Sequence, residues 1–124
     1  SIYGFGTPSQ SVEVTLIGSE KITTLVDATG FWQVLLEAMP ASFQHYSLFA
    51  RSENMQIQLD DILFGDVYLC SGQSNMQFTV DMSFNNTQEI ADAANYPNIR
   101  LFTAELVSSD VPLRDLAAVK QPWR

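Results

Sequence analysis

The sequence predicts an α/β protein with a β-rich N-terminal part, and three patterns lead to this prediction. Apolar and polar residues alternate in short runs before about residue 60, which is typical of strands in a small antiparallel sandwich. A continuous apolar run, Val67 to Cys70, then indicates a strand buried on both faces of a parallel sheet. A helical pattern and another apolar run, Ile99 to Thr103, follow. We therefore expect a β-sandwich-like domain over residues 1–60 and the opening strand–helix–strand unit of an α/β/α domain over residues 61–124.

Composition restricts the classes of partner. The net charge is −8, from 14 acidic and 6 basic residues, so the chain would repel phosphate backbones and we expect no nucleic-acid partner. Hydrophobic residues make up 46% of the chain, which favours a packed core over disorder. No apolar stretch approaches the roughly 20 residues that span a bilayer, so no membrane span is predicted. The chain begins at Ser1 without an initiator Met, and we expect it to be part of a longer protein.

The first half shows period-two alternation between turn signals. The predicted strands contain Val12–Leu16, Phe31–Leu36, Tyr46–Ala50 and Ile57–Leu59. Gly and Pro mark turns over residues 4–9, 27–30 and 39–42. Aromatic residues are frequent here, and we expect them to fill the core rather than to form a sugar-stacking face; they are Tyr3, Phe5, Phe31, Trp32, Phe43, Tyr46 and Phe49.

The second half contains one clear helix signal. Asn86 with Glu89 three residues later resembles a capping box, and the small apolar positions that follow suit a short helix. Pro97 cannot continue a helix, so the pattern stops at Asn95–Pro97. The tail over residues 108–120 is weakly patterned and is predicted to lack regular structure.

Ser74 is the candidate catalytic residue. It follows the predicted buried strand, where α/β enzymes expose reactive side chains at the carboxyl edge of the sheet. Gly72, two positions earlier, permits a tight backbone path, and the Ser74 N–H can act as an oxyanion donor. Gln73 and Asn75 are candidates for supporting the loop or contacting the substrate. The run lacks the second glycine of a G-x-S-x-G elbow because Met76 follows Asn75, and Ser71 is a weaker competing serine.

The run from Gly65 to Met76, Gly-Asp-Val-Tyr-Leu-Cys-Ser-Gly-Gln-Ser-Asn-Met, resembles the nucleophile block of the sialate O-acetylesterase family, a branch of the SGNH hydrolases. Upstream segments at 3–8, 27–32 and 39–41 also resemble the small β domain that precedes the catalytic domain in that family. Tyr68 stands where many relatives carry Trp. The resemblance covers nearly the whole chain.

This resemblance implies a carboxylic ester hydrolase in which Ser74 attacks the 9-O-acetyl group of a sialic acid, forms an acetyl-serine and releases acetate. O-acetylated sialic acids or sialoglycans are the implied substrates, an SGNH-type α/β/α domain is the implied fold, and no cofactor is implied. The family completes its site with Gly and Asn oxyanion donors and an Asp–His pair, none of which has a counterpart in these residues. We therefore expect the isolated chain to be inactive.

Other candidate residues have plainer interpretations. His45, the single histidine, precedes the motif and is predicted to be a half-exposed strand or loop residue rather than the base. Cys70 is predicted to be a small buried core residue; a reactive thiol, or one paired with a cysteine of another segment, is the alternative. Asn85 begins an N-glycosylation sequon, Asn85-Asn86-Thr87, and the family has secreted and lysosomal members. No residue spacing suits a metal site.

Two other classes of function remain open from the sequence. The aromatic, strand-rich first half also suits a non-catalytic carbohydrate-binding module of a secreted protein. An immunoglobulin-like structural domain is a further possibility. Neither accounts for the apolar run that ends in Ser71-Gly72-Gln73-Ser74-Asn75.

Overall fold

The structure, a computed structural model, describes all residues from 1 to 124 and divides into two compact units, Ser1–Tyr68 and Leu69–Arg124. The first unit is built from antiparallel strands, and the second contains the one α-helix and two very short strands. The strand Met55–Phe64 runs across the expected boundary at residue 60, and the domain limits stay a prediction.

The first unit contains two antiparallel sheets. Its strands are β1 (Ile2–Phe5), β2 (Ser11–Leu16), β3 (Ile22–Leu25), β4 (Phe31–Val34), β5 (Ser42–Ser52) and β6 (Met55–Phe64). β1 pairs with β4, and the other four form a sheet in the order β3-β2-β5-β6. The four predicted strands are confirmed. Two strands, β1 and β3, were not predicted: the turn expected at residues 4–9 includes the end of β1, and the chain turns only after it.

The core of this unit is mostly aliphatic. Along β2 buried side chains alternate with partly or fully exposed ones, as the period-two pattern predicts. The buried residues are Val12, Val14, Leu16, Val26, Trp32, Val34 and Leu48. Burying a Val or Leu side chain is worth about 1.5–3 kcal/mol, so this cluster is the main source of stability in the first unit.

The predicted aromatic core is wrong for most of the aromatic residues. Only Trp32 is buried, whereas Tyr3, Phe5 and Phe43 are exposed. Gly4 explains part of this arrangement, because a β-carbon at that position would lie 2.7 Å from Trp32 Cζ2. The face of β1 that carries Ile2 and Gly4 therefore packs on the core side, and Tyr3 and Phe5 lie on the other side against Phe31, with ring centroids 5.8 Å apart in each pair.

The predicted helix in the second unit is confirmed as α1 (Asn86–Ala93). Its predicted capping box is wrong. The N-cap is Asn85, in a left-handed conformation with φ 59°, and its side chain makes no cap hydrogen bond. The Asn86 side chain instead donates to the backbone carbonyl of Asp81 at 2.6 Å, which ties the helix start to the preceding turn. No helix in the structure has the length and apolar character needed to cross a membrane.

The predicted strand–helix–strand unit is not formed by these residues. Val67, Tyr68, Leu69 and Cys70 are outside any strand and exposed, so the expectation that Cys70 is buried is also wrong. The second predicted strand is reduced to β7 (Thr103–Ala104), which pairs antiparallel with β8 (Val119–Gln121) in the tail where no regular structure was expected. A doubly buried strand requires neighbours for its backbone groups and covering layers for its side chains, and no strand of this chain pairs with residues 67–70.

Candidate functional site

Ser74 is the first residue of a short 3₁₀ helix, Ser74–Gln77. The side chain is exposed and its hydroxyl makes no hydrogen bond within the chain. The first N–H groups of any helix lack an intrahelical acceptor, and the Ser74 N–H is among them. The predicted nucleophile and its own backbone donor are therefore both accessible at the start of a helical turn.

Gly72 makes room for this turn. A β-carbon on Gly72 would lie 2.8 Å from Cγ of Met76, closer than side-chain atoms approach one another. The Met76 N–H donates to the Gln73 carbonyl at 2.8 Å, which closes the turn around Ser74. A glycine at position 72 thus lets Met76 fold back over the backbone that precedes Ser74.

Gln73 and Asn75 shape the turn through their main chains. Gln73 is the N-cap of the 3₁₀ helix, with φ −109° and ψ −144°, and the Asn75 carbonyl accepts the Phe78 N–H at 3.3 Å. Their side chains make no hydrogen bond within the chain and are exposed, so both amides are accessible to a substrate or to another segment. Ser71 is also exposed but precedes the helical turn.

His45 is a half-exposed residue of β5, as predicted. Its Nδ1 is in contact with the Asp61 carboxylate on β6, a pairing that the sequence analysis did not anticipate. The missing signal was the two-residue turn at Glu53 and Asn54, which folds β5 and β6 into a hairpin and brings positions 45 and 61 together. His45 belongs to the first unit and Ser74 to the second.

Asp61 occupies a bulge in this hairpin. Its φ of 61° lies in the left-handed region, and the pairing register shifts between Tyr46 and Leu48. An extra residue in one strand re-aims the side chains around it. Next to it, hydrogen bonds from Gln58 and then Ser47 lower the pKa of the Asp60 carboxyl, because they stabilise its charged form.

The chain offers no cluster of three or more His, Cys, Asp or Glu side chains that could hold a metal ion. Asn85 is exposed beside α1, and the Thr87 hydroxyl of its sequon donates to Asn86 Oδ1 at 3.2 Å. The Asn85 side chain is therefore on the surface of the second unit.

Comparisons with known proteins place these observations in context. No protein-family model matches the chain. It is 40% identical to sialate O-acetylesterase of Mus musculus over 131 aligned positions, which cover 98% of this chain and 24% of the mouse protein. The Homo sapiens sialate O-acetylesterase is 38% identical, with 98% of this chain and 25% of the human protein covered.

The chain is a homologue of sialate O-acetylesterases. The resemblance predicted from the sequence is thereby confirmed, and the chain spans about a quarter of the length of these relatives. The structure is also similar to that of a carbohydrate acetylesterase from Xanthomonas citri, with a TM-score of 0.88 and 31% identity over 99% of this chain and 27% of that one.

Proposed function

We propose that the protein to which these residues contribute is a carboxylic ester hydrolase that removes O-acetyl groups, in particular 9-O-acetyl groups, from sialic acids. The observation that carries this proposal is the 40% identity to a sialate O-acetylesterase over 98% of the chain. The similar structure is that of a carbohydrate acetylesterase, which supports the same class of reaction.

In the proposed reaction the Ser74 hydroxyl attacks the acetyl carbonyl carbon. The developing oxyanion accepts a hydrogen bond from the Ser74 N–H, the sugar oxygen leaves with a proton, and an acetyl-serine remains. Water then attacks the acetyl-serine and releases acetate. Gly72, Gln73 and Asn75 would position this turn, and the exposed amides of Gln73 and Asn75 are available to the substrate.

The accompanying fold proposal is an SGNH-type α/β/α domain that starts after β6. Val67 to Cys70 would then form its first parallel strand by pairing with strands supplied by residues beyond this chain. Their exposure here agrees with that role, since Val67 and Leu69 are 82% and 92% exposed and would be covered by such neighbours.

Substitution of Ser74 tests the proposed function in the full-length protein. Ser74→Ala should lower kcat on a 9-O-acetyl sialic acid by about 10⁴-fold or more, since loss of a nucleophile removes most of the catalytic effect. Ser71→Ala, three residues away on the same exposed loop, should retain activity. Acetate release measures both, and full activity of the Ser74→Ala enzyme would refute the assignment.

The isolated 124-residue chain should not turn over the same substrate. A serine needs a base within hydrogen-bond reach, and the single histidine is already in contact with Asp61 in the first unit. Acetate release by the chain that disappears in its Ser74→Ala variant would show that its own residues suffice.

A second candidate function, a non-catalytic carbohydrate-binding module, is favoured by the aromatic group formed by Tyr3, Phe5 and Phe31, of which Tyr3 and Phe5 are exposed. Exposed rings can stack on sugars. A fluorophosphonate probe on the full-length protein separates the two. Labelling at Ser74 favours the esterase, and glycan binding without labelling favours the module.

Secretion or a lysosomal location, with a glycan on Asn85, completes the proposal. The exposed Asn85 side chain at the start of α1 is accessible to a glycosyltransferase. Mass spectrometry of protein from a secretory host should find a glycan on Asn85 that is lost in Thr87→Ala.

A further inference from the structure

The outer face of the four-stranded sheet carries an ordered grid of polar side chains around one aromatic ring. The strand register places residues opposite one another in two rows across β2, β5 and β6. One row is Glu13, Arg51 and Gln56, and the other is Thr15, Phe49 and Gln58. These side chains face away from the buried core, because their neighbours Val12, Val14 and Leu48 face into it.

A shallow pocket of about 370 Å³ lies on this face, lined by Glu13, Thr15, Lys21, Phe49 and Arg51. Phe49 is half-buried, so part of its side chain remains accessible to a ligand. An aromatic ring surrounded by hydrogen-bonding groups can take the apolar face of a sugar ring while its neighbours bind the hydroxyls.

The pocket lining carries a net charge of +1, with the Asp60 carboxylate held by Gln58 and Ser47 beyond it, in a chain whose net charge is −8. The lining contains two cations and one carboxylate. Lys21 Nζ lies 2.8 Å from the Glu13 carboxylate, so these two charges largely offset each other. Arg51 is the cation that remains to attract an acidic ligand.

Arg51 is held in place by a neutral partner. Its Nε and Nη2 groups both donate to Gln56 Oε1, at 3.0 and 2.5 Å. The guanidinium has five N–H groups in a fixed fork, so others stay available for a carboxylate. A charge held by an amide, rather than by a carboxylate, keeps its capacity to bind an anion.

The second row supplies acceptors and a hydroxyl. Gln58 Nε2 donates to both Asp60 carboxylate oxygens, at 2.8 and 3.0 Å, which occupies the amide nitrogen and leaves Gln58 Oε1 as an acceptor. Ser47 donates to the same carboxylate, so Asp60 is occupied by two donors from this face. The Thr15 hydroxyl lines the pocket on the opposite side of Phe49.

We infer that this face, defined as the Phe49 face by residues Thr15, Lys21, Phe49, Arg51 and Gln58, binds an acidic sugar. The sugar ring would lie on Phe49 and its carboxylate would pair with Arg51. The site belongs to the first unit of the chain, and Ser74 belongs to the second. The choice of a sialic acid as the ligand rests on the proposed function, whereas the binding itself needs no esterase chemistry.

Binding of sialyllactose to the 124-residue chain, followed by two-dimensional NMR at low salt, tests this inference. Sialyllactose should shift the resonances of Phe49, Arg51 and Gln58, and lactose, which lacks the carboxylate, should bind at least tenfold more weakly. Arg51→Gln should weaken sialyllactose binding at least tenfold and abolish the preference over lactose. Arg51→Lys, which keeps the positive charge but lacks the forked guanidinium, should weaken sialyllactose binding less than Arg51→Gln does.

Matched controls separate this site from the others. Lys120→Gln removes a cation from β8 of the second unit and should not change the affinity. Circular dichroism of each variant checks that the fold is retained, and Phe49→Leu, which preserves an apolar side chain of similar bulk, should also weaken binding.

Three outcomes would overturn the inference. The first is that sialyllactose does not bind. The second is that the NMR shifts are confined to Tyr3, Phe5 and Phe31 or to the Ser74 turn. The third is that a folded Arg51→Gln variant binds with unchanged affinity. Failure of the proposed function is a different result. A full-length protein that releases no acetate would leave shifts at Phe49 unaffected.

Discussion

Gly72 and Met76 are packed so closely that a β-carbon at position 72 would lie 2.8 Å from Met76 Cγ. Gly72→Ala therefore requires Met76 to move, together with the turn that presents Ser74. Because Met76 is half-exposed and flexible, we expect a stability loss of only about 1 kcal/mol. We expect kcat/KM of the full-length enzyme to fall by about 10- to 100-fold, since small displacements of a reacting group cost this much.

Gly65→Ala is the control for this prediction, because a β-carbon at position 65 would meet no atom within 4 Å. Steady-state kinetics and urea unfolding of both variants give the comparison. Equal kinetic losses in the two variants would mean that the Gly72–Met76 contact does not position Ser74.

Leu48 is the central core residue of the long strand β5, with 1% of its surface exposed. Leu48→Ala should lower the free energy of unfolding by about 3 kcal/mol, through lost burial and the cavity that remains. Leu35→Ala removes the same atoms from a side chain that is 77% exposed. This variant should change the free energy of unfolding by less than about 0.5 kcal/mol. Chemical unfolding followed by Trp32 fluorescence in a Trp123→Phe background measures both, and similar losses would contradict the assignment of the core.

The hydrogen bonds from Gln58 and Ser47 should make Asp60 titrate below the usual carboxyl value of about 3.9. A pKa lowered by folding contributes stability that is fully present above the unfolded value and is lost as the pH falls through the folded value. NMR titration of the Asp60 side chain should show a low midpoint that rises in Gln58→Leu. An unchanged midpoint in Gln58→Leu would mean that Gln58 does not lower the pKa of Asp60. Gln56→Leu, on the same strand, is the control and should leave the midpoint unchanged.

Cys70 should react rapidly with a thiol reagent in the 124-residue chain, because it is exposed and free. In the full-length protein we expect at least a tenfold slower reaction, since the proposed parallel strand would cover this residue. Denaturing the full-length protein should restore the fast reaction. Equal rates in the native full-length protein and in the chain would argue against a buried strand at Val67 to Cys70.

Local patterns predicted the elements whose partners are near in sequence. β2 follows from the alternation of Val12, Val14 and Leu16, and α1 from the run that ends before Pro97. β1 was missed because a glycine such as Gly4 is typical of a turn. In the structure the missing side chain of Gly4 leaves the space that the Trp32 ring occupies. The aromatic residues were assigned to the core from their size, although most of them lie on the outer side of a strand.

The sequence by itself determined the antiparallel β-rich start, the helix over Asn86–Ala93 and the motif that carries Ser74, because these depend on periodicity and on a short specific run of residues. Only the tertiary structure decided which residues meet across the strands, including Arg51 with Gln56 and His45 with Asp61. Those contacts depend on the strand register and on a bulge. The register of a strand pair is set by both strands, so the pattern within one strand does not predict it. For the same reason Val67 to Cys70 has the composition of a buried strand and yet stays exposed, because no strand of this chain pairs with it.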